Sequence, residues 1–354
     1  VEIRPTTLEF TVPELTRLLP AARPHPRGQE LEQHVTEWAR QHLHWLLPQR
    51  GDLERYLARG TIQFDVLFFP TAEYDRIADM AVFDLLAFLL DDLVDEPATV
   101  TATPPPVDMD TVISVLADAV RSDAPPAGGP TILVELHERL QQIKSRMPAP
   151  LRGRFIATAV DYINLQRFAA GKSPADLRMD QEAALRRHWR HVGAPVALVQ
   201  IEYALGIDLT DDLAASPALS AIGDTAMRHA MLVNDLFAYR KEYFHGDLAM
   251  NSLAALQRTE GMSLQEAVDR QCAMILDTER QFYADRQSLL VGALGTRTAV
   301  RSYLEALEYY LAANLRWHSL AGRFHGPGHS CSGLMRGTWT LLPERTVFTP
   351  LSPV

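Results

Sequence analysis

Four carboxylates close one of the most apolar stretches of this 354-residue chain: FLLDDLVDEP places Asp91, Asp92, Asp95 and Glu96 at the end of a run that begins MAVFDLL. Asp91 and Asp95 are spaced i,i+4, so on a helix they leave one face about 40° apart. Acids grouped at a helix C-terminus repel one another and oppose the negative end of the helix dipole. A counter-cation would relieve both costs, and a few carboxylates completed by water and phosphate oxygens are how Mg²⁺ is commonly held. Read alone, the group is equally a solvated helix end before the loop opened by Pro97.

A second polar group lies in AMLVNDLFAYRKEYFHGD, where Asn234, Ala238 and Glu242 fall at i, i+4 and i+8 on one helical stripe. An amide oxygen and a carboxylate two turns apart can ligate one hard cation, and Lys241 beside them could meet a phosphate oxygen. In isolation, with Asp235 and Arg240 flanking it, the segment also reads as a charged helix surface.

FLLDDLVDE, then NDLFAYRKE, then NLRWHSLAGRF resemble, in order and separation, the aspartate-rich motif, NSE triad and terminal Arg-Tyr pair of the bacterial class I terpene synthases. The resemblance runs from about Phe64 to Phe324 and includes the lead-in FFPTAEYDRIADMAVFDLLAFLLDD. It implies a single α-helical bundle around a deep apolar cavity, Mg²⁺ at its mouth in a set of three ions, and a prenyl diphosphate as substrate. Asp91 is then the expected metal-binding aspartate, with Asp95 as a further ligand or hydrogen-bond partner. Asn234 and Glu242 match two of the three NSE ligands; Ala238 stands at the third, where a methyl group cannot ligate. A water in its place would weaken metal affinity without abolishing it.

The resemblance also implies a diphosphate-sensing arginine before a helix break. EAALRRHWRHVGAP offers Arg187 first and Arg190 second, ahead of a break at Val192 and Gly193. Lys241 and Arg323 match residues that contact diphosphate in the family. Phe324 replaces the tyrosine of the terminal pair, keeping the ring and losing the phenolic hydroxyl. Loss of diphosphate from an allylic carbon leaves a carbocation, which needs a dry aromatic wall. Phe64, Phe68, Phe88 and Trp317 are the candidates, each ring worth roughly 0.5–2 kcal/mol by cation–π attraction. A chain-elongating prenyltransferase would want a second aspartate-rich motif in place of NDLFAYRKE, and DLTDD at 208–212 has the wrong spacing and reads as a loop. An inactive or non-enzymatic helical scaffold accounts for the composition but not for three ordered motifs.

The elements that must carry these residues are helices. LEQHVTEWARQHLHWLL, TILVELHERLQQIKSRM and SYLEALEYYLAANLRWHSLAGRF repeat apolar residues three and four apart, whereas strand signals are sparse and no strand leads into a glycine-rich turn. The fold class is all-α. The punctuation at 97–110 and 122–130 flanks one short helix, so it reads as loops within one domain spanning 1–354, with an irregular N-terminal segment over about 1–25 and a C-terminal tail over about 325–354. No internal repeat points to a solenoid.

A chain that is 47% hydrophobic and 22% charged can build a substantial core. Its net charge of −10 disfavours broad attraction to nucleic acid or anionic lipid, so no nucleic-acid partner is expected. MAVFDLLAFLL is about half the length of a membrane span and carries Asp84, so no membrane insertion is expected. Two cysteines, Cys272 and Cys331, form no disulfide framework or metal pattern, and VEIRPTTLEFTVPEL resembles neither signal nor transit peptide. The expected location is the cytoplasm, and a homodimer is compatible with the resemblance.

Overall fold

In the computed structural model, residues 5–101, 108–125, 131–167 and 178–351 are described. Of the stretches read as loops, 97–110 and 122–130, residues 102–107 and 126–130 lie outside the described residues, and Pro97–Val100 forms a short helix instead. The described residues are predominantly helical, in the order α1 (Gly28–His42), α2 (Arg50–Leu57), α3 (Gln63–Phe68), α4 (Tyr74–Asp95), α5 (Pro97–Val100), α6 (Met109–Arg121), α7 (Thr131–Ser145) and α8 (Ala149–Leu165). They continue with α9 (Gln181–His191), α10 (Ala194–Leu205), α11 (Thr210–Ala215), α12 (Pro217–His245), α13 (Ser252–Glu260), α14 (Leu264–Val291), α15 (Thr298–Leu320) and α16 (Gly322–His325).

Helix α4 is central because it has almost no polar side: every residue from Ile77 to Leu86 is buried. A helix apolar all round must be covered all round, and α1, α3, α7 and α10 pack against it. The long α12 packs on α14 and α15. Its start is set by Ser216, whose hydroxyl accepts the Leu219 N–H, and by Pro217 in the first turn. Gly246, at φ +84°, ends it in the left-handed region. Helix α14 opens with a reciprocal cap between Ser263 and Glu266. The break expected after the arginine cluster is present: α9 stops at His191, Gly193 turns at φ +76°, and α10 restarts with Pro195 in its first turn.

The chain ends depart from the irregular segments expected of them. Leu8–Val12 (β1) pairs antiparallel with Gly337–Leu341 (β2), which pairs antiparallel with Thr346–Pro350 (β3). Phe10 faces Trp339 across the sheet, and Trp339 packs its ring 4.8 Å from Phe237 of α12. LEFTV, GTWTL and TVFTP do alternate, but each is only five residues long and β1 finds its partner more than 300 positions away, beyond the reach of local pattern. The 208–212 stretch also differs from the expected loop, because Asp211 and Asp212 lie in the first turn of α11 and Asp212 pairs with Arg297.

Trp339 is 1% exposed and joins the sheet to the bundle. Trp339→Ala should lower unfolding free energy by about 3–5 kcal/mol in chemical denaturation; a change within error would mean that the sheet is held without it.

Candidate active site

Helices α3, α4, α8, α9, α10, α12 and α15 enclose one large cavity of about 1560 Å³ of empty space, counted out to its solvent-open mouth. Asp91, Asp95 and Glu96 line it from α4 and its cap, and Asn234, Lys241 and Glu242 line it from α12. Arg323 enters from α16, and Phe64, Phe88, Val192, Gly193 and Trp317 form other parts of the wall. Residues up to 259 positions apart in sequence, Phe64 and Arg323, therefore share one space, whereas none of 208–212 lines it.

One expected wall residue, Phe68, and both arginines considered for sensing diphosphate, Arg187 and Arg190, are elsewhere. Phe68 is 2% exposed and sits behind Phe64, stacked at 4.0 Å, with its edge toward Tyr310; it supports the wall without forming it. Arg187 is exposed on the outer face of α9, and Arg190 forms an exposed pair with Asp161. The residues α9 turns inward are His188 and His191, together with Val192 just beyond its end. Leu185, His188 and Val192 recur at helical spacing, so the inward stripe was readable once Val192 was placed on the wall. His188 Nδ1 lies 2.9 Å from Asp235, which is fully buried. Burial pushes the His188 imidazole down, but Asp235 outweighs it and the net proton affinity is raised.

The acidic cluster divides into two roles. Asp92, fully buried, receives Arg323 Nε at 2.9 Å and lies 3.2 Å from Arg59 Nε. Arg323 also pairs with Asp91 on the cavity side. Glu96 binds Arg59 at 2.9 Å and Lys241 at 3.2 Å. Burial pushes Glu96 up, but Lys241 and Arg59 overcome this and hold it well below the usual carboxylate range. Asp95 is different: burial and then Asp91 push its carboxyl up to about 7. Across the mouth, burial and then Asp235 push Glu242 up to about 8. These two acids carry the cost of charge that the local cations do not offset.

The oxygens on α12 are aimed by a hydrogen-bond relay. His318 Nδ1 lies 2.8 Å from the Asn314 carbonyl, so that nitrogen carries the hydrogen and Nε2 accepts. Burial holds the imidazole neutral, at about 3. Asn234 must then present its amide N–H to Nε2, 3.2 Å away, which leaves its Oδ1 for the cavity. Asn251, absent from the sequence reading, donates to Glu242 Oε2 at 2.7 Å while its own Oδ1 caps α13. Asp247 also reaches the mouth. Ala238 is 1% exposed and lies off the wall, so no side-chain oxygen stands between Asn234 and Glu242.

The floor is aromatic. Phe64, Phe88 and Trp317 meet edge-to-face or tilted at 5.3–5.5 Å, and Tyr162 and Tyr310 extend the wall. Trp317 is oriented by its indole N–H, which donates to the Gly60 carbonyl at 2.8 Å. Among the described residues no three His, Cys, Asp or Glu side chains converge as a preformed metal cluster. The donors Asp91, Asp95, Asn234 and Glu242 are hard oxygens on opposite sides of the mouth, which fits a cation that takes its remaining ligands from water and phosphate.

The different places of His188 and Arg187 give distinct expectations. His188→Ala leaves Asp235 buried without its cation and should cost about 3–5 kcal/mol of stability, whereas Arg187→Ala on the exposed face should change it by about 0.5 kcal/mol or less. Chemical denaturation of both variants checks this, and equal losses would contradict the inward placement of His188.

The sequence model for terpene synthase family 2, C-terminal metal binding, matches residues 83–281. The chain is 27% identical over 349 residues to microbial terpene synthase-like protein 13 of Selaginella moellendorffii, covering 95% of this chain and 93% of that protein. It is 24% identical to the (3S,6E)-nerolidol synthase of the same organism, covering 96% and 91%. Among solved structures it resembles the linalool/nerolidol synthase of Streptomyces clavuligerus in complex with 2-fluorogeranyl diphosphate, with a TM-score of 0.68 at 22% identity over 86% of this chain and 98% of that one. The last likeness shows the shared fold; with the family match across 83–281, the chain belongs to terpene synthase family 2 and is a class I terpene synthase.

Proposed function

We propose that this terpene synthase is a Mg²⁺-dependent cyclase that ionises a linear prenyl diphosphate and closes the resulting carbocation into a ring before deprotonation or water capture. Farnesyl diphosphate is the favoured substrate and geranylgeranyl diphosphate the second. The observation that carries this reading is the meeting of α4 and α12 oxygen donors across the mouth of one aromatic-walled cavity. A solved structural relative that carries 2-fluorogeranyl diphosphate supports the substrate class. We further propose that residues 1–354 act as one cytoplasmic catalytic domain, with a homodimer as the assembly. No helix among the described residues is long and apolar enough to cross a membrane.

Asp91, Asp95, Asn234 and Glu242 would hold the Mg²⁺ ions, three by the family's pattern, and the bound metal would neutralise the leaving diphosphate. Lys241 and Arg323 reach the same mouth, and on substrate binding Lys241 would exchange Glu96, and Arg323 would exchange Asp91 while keeping Asp92, for phosphate oxygens. His188, paired with Asp235, takes the inward position on α9 that was expected of Arg187. Phe64, Phe88, Trp317 and Tyr310 exclude water and present π faces to the cation. In a chain-elongating prenyltransferase the α12 donors would be aspartates; Asn234 and Glu242 favour the cyclase.

Incubation with geranyl, farnesyl and geranylgeranyl diphosphates and Mg²⁺, with and without isopentenyl diphosphate, followed by gas chromatography before and after phosphatase treatment, should give a cyclic terpene. A longer linear diphosphate would establish the elongating activity instead, and no turnover would refute both. Asp91→Asn and Asn234→Ala should each slow diphosphate release on the order of 100-fold; near-normal release in both would remove the metal assignment.

A further inference from the structure

A further pair of carboxyl groups lies away from the metal-site candidates, one of them on the cavity wall and the other behind it. Asp84 lies on the same stripe of α4 as Phe88 and Asp91 and also lines the cavity. Two turns of helix separate it from Asp91, which places it about 10 Å deeper along the helix axis. Its neighbour is Asp65 of α3, 1% exposed, and the two carboxyl groups are within hydrogen-bonding reach. Gln200 Nε2 donates to Asp84 Oδ1 at 2.6 Å, leaving Asp84 Oδ2 and Asp65 Oδ1 with no other hydrogen-bond partner. No Lys, Arg or His pairs with either acid among the described residues; the other polar groups bearing on them are the phenols of Tyr310 and Tyr162.

Two carboxyl groups buried without a cation are costly for stability, and apolar residues of similar volume would relieve that cost. They cannot both be ionised at this distance, so one proton is shared. Burial and then Asp84 push Asp65 well up, so Asp65 holds the proton and donates it to Asp84. Burial pushes Asp84 up to about 7, the range in which a carboxylate both accepts and releases protons near neutrality.

We propose that Asp84 is the base that ends the cationic reaction, removing a proton from the carbon adjacent to the positive centre, with Asp65 as its positioning partner. The inference rests on the cyclase reading above. In the step, the C–H bonding pair becomes the π bond of a new C=C, the cation is neutralised, and the proton forms an O–H bond with the Asp84 carboxylate. That proton returns to solvent water when the olefin and diphosphate leave. The depth of Asp84 suits this task, because it meets the hydrocarbon part of a substrate whose diphosphate is held at the Asp91 mouth.

The test uses the full chain with Mg²⁺ and whichever of geranyl, farnesyl and geranylgeranyl diphosphate the wild type consumes, scoring diphosphate released and products by mass-detected gas chromatography. Asp84→Asn should lower the wild-type olefin formed per diphosphate released about 100-fold, with alcohols or other olefins in its place. Asp84→Glu, which keeps the carboxyl but moves it by one methylene, should shift the double bond. Asp65→Asn, whose amide N–H can still donate to Asp84, should retain the product, and Asp65→Leu should not. An unchanged product set in Asp84→Asn, loss of diphosphate release from a folded Asp84→Asn protein, or failure of both Asp84 variants to fold would overturn the proposal. A wild type inert toward all three diphosphates would instead overturn the cyclase reading on which it rests.

Discussion

Asp92 is the constraint on which the mouth of the cavity depends. It is a fully buried carboxylate near the end of an apolar helix, and it is tolerable there only because Arg59 and Arg323 reach it from two other parts of the chain. The same two guanidiniums extend the network outward, Arg59 to Glu96 and Arg323 to Asp91, and Lys241 joins it through Glu96. One ionic knot thus ties α4, α12, α16 and the α2–α3 connection together. Successive helical residues point about 100° apart, so Asp91 faces the cavity while Asp92 faces the knot.

The segment around Arg59 also sets the aromatic wall. The Arg59 carbonyl receives the Arg323 N–H at 3.0 Å and the Gly60 carbonyl receives the Trp317 indole. Two adjacent carbonyls, of Arg59 and Gly60, therefore align a cation of the mouth and a ring of the floor. Most of the ionisable groups lie at one end, where the buried Asp95 and Glu242 hold a proton in the absence of a cation. Below them rings and aliphatic chains make up much of the wall, interrupted by Asp84 with its partner Gln200 and by the amides of Gln166 and Asn314. The separation is what a reaction needs if charge must leave at one end and be sheltered at the other.

The helices and the polar groups on them were legible because both obey local rules. Asp91 and Asp95, or Asn234 and Glu242, share a face by helical spacing alone, and the Val192–Gly193 break is written in glycine and proline. What was not legible depends on where a helix points after packing. Arg187 and His188 are adjacent, and which one turns inward is decided by how α9 meets α8, α10, α12 and α13. Phe68 and Phe64 are one turn apart, yet only Phe64 reaches the wall. The β1–β2 pairing, and the meeting of Asp65 with Asp84, join residues of different elements whose approach no single-element pattern encodes.

On the proposed function, the acids of the mouth make a cation obligatory for holding a diphosphate there. Calorimetric titration of the full-length protein with inorganic pyrophosphate, in Mg²⁺ and separately in excess chelator, measures this without any turnover. Binding is expected in Mg²⁺ and none detectable in chelator, because without the metal Lys241 and Arg323 stay paired with Glu96, Asp91 and Asp92. Binding of equal affinity in chelator would contradict it, leaving Lys241, Arg323 and His188 as a sufficient anion site and the carboxylates without a metal role.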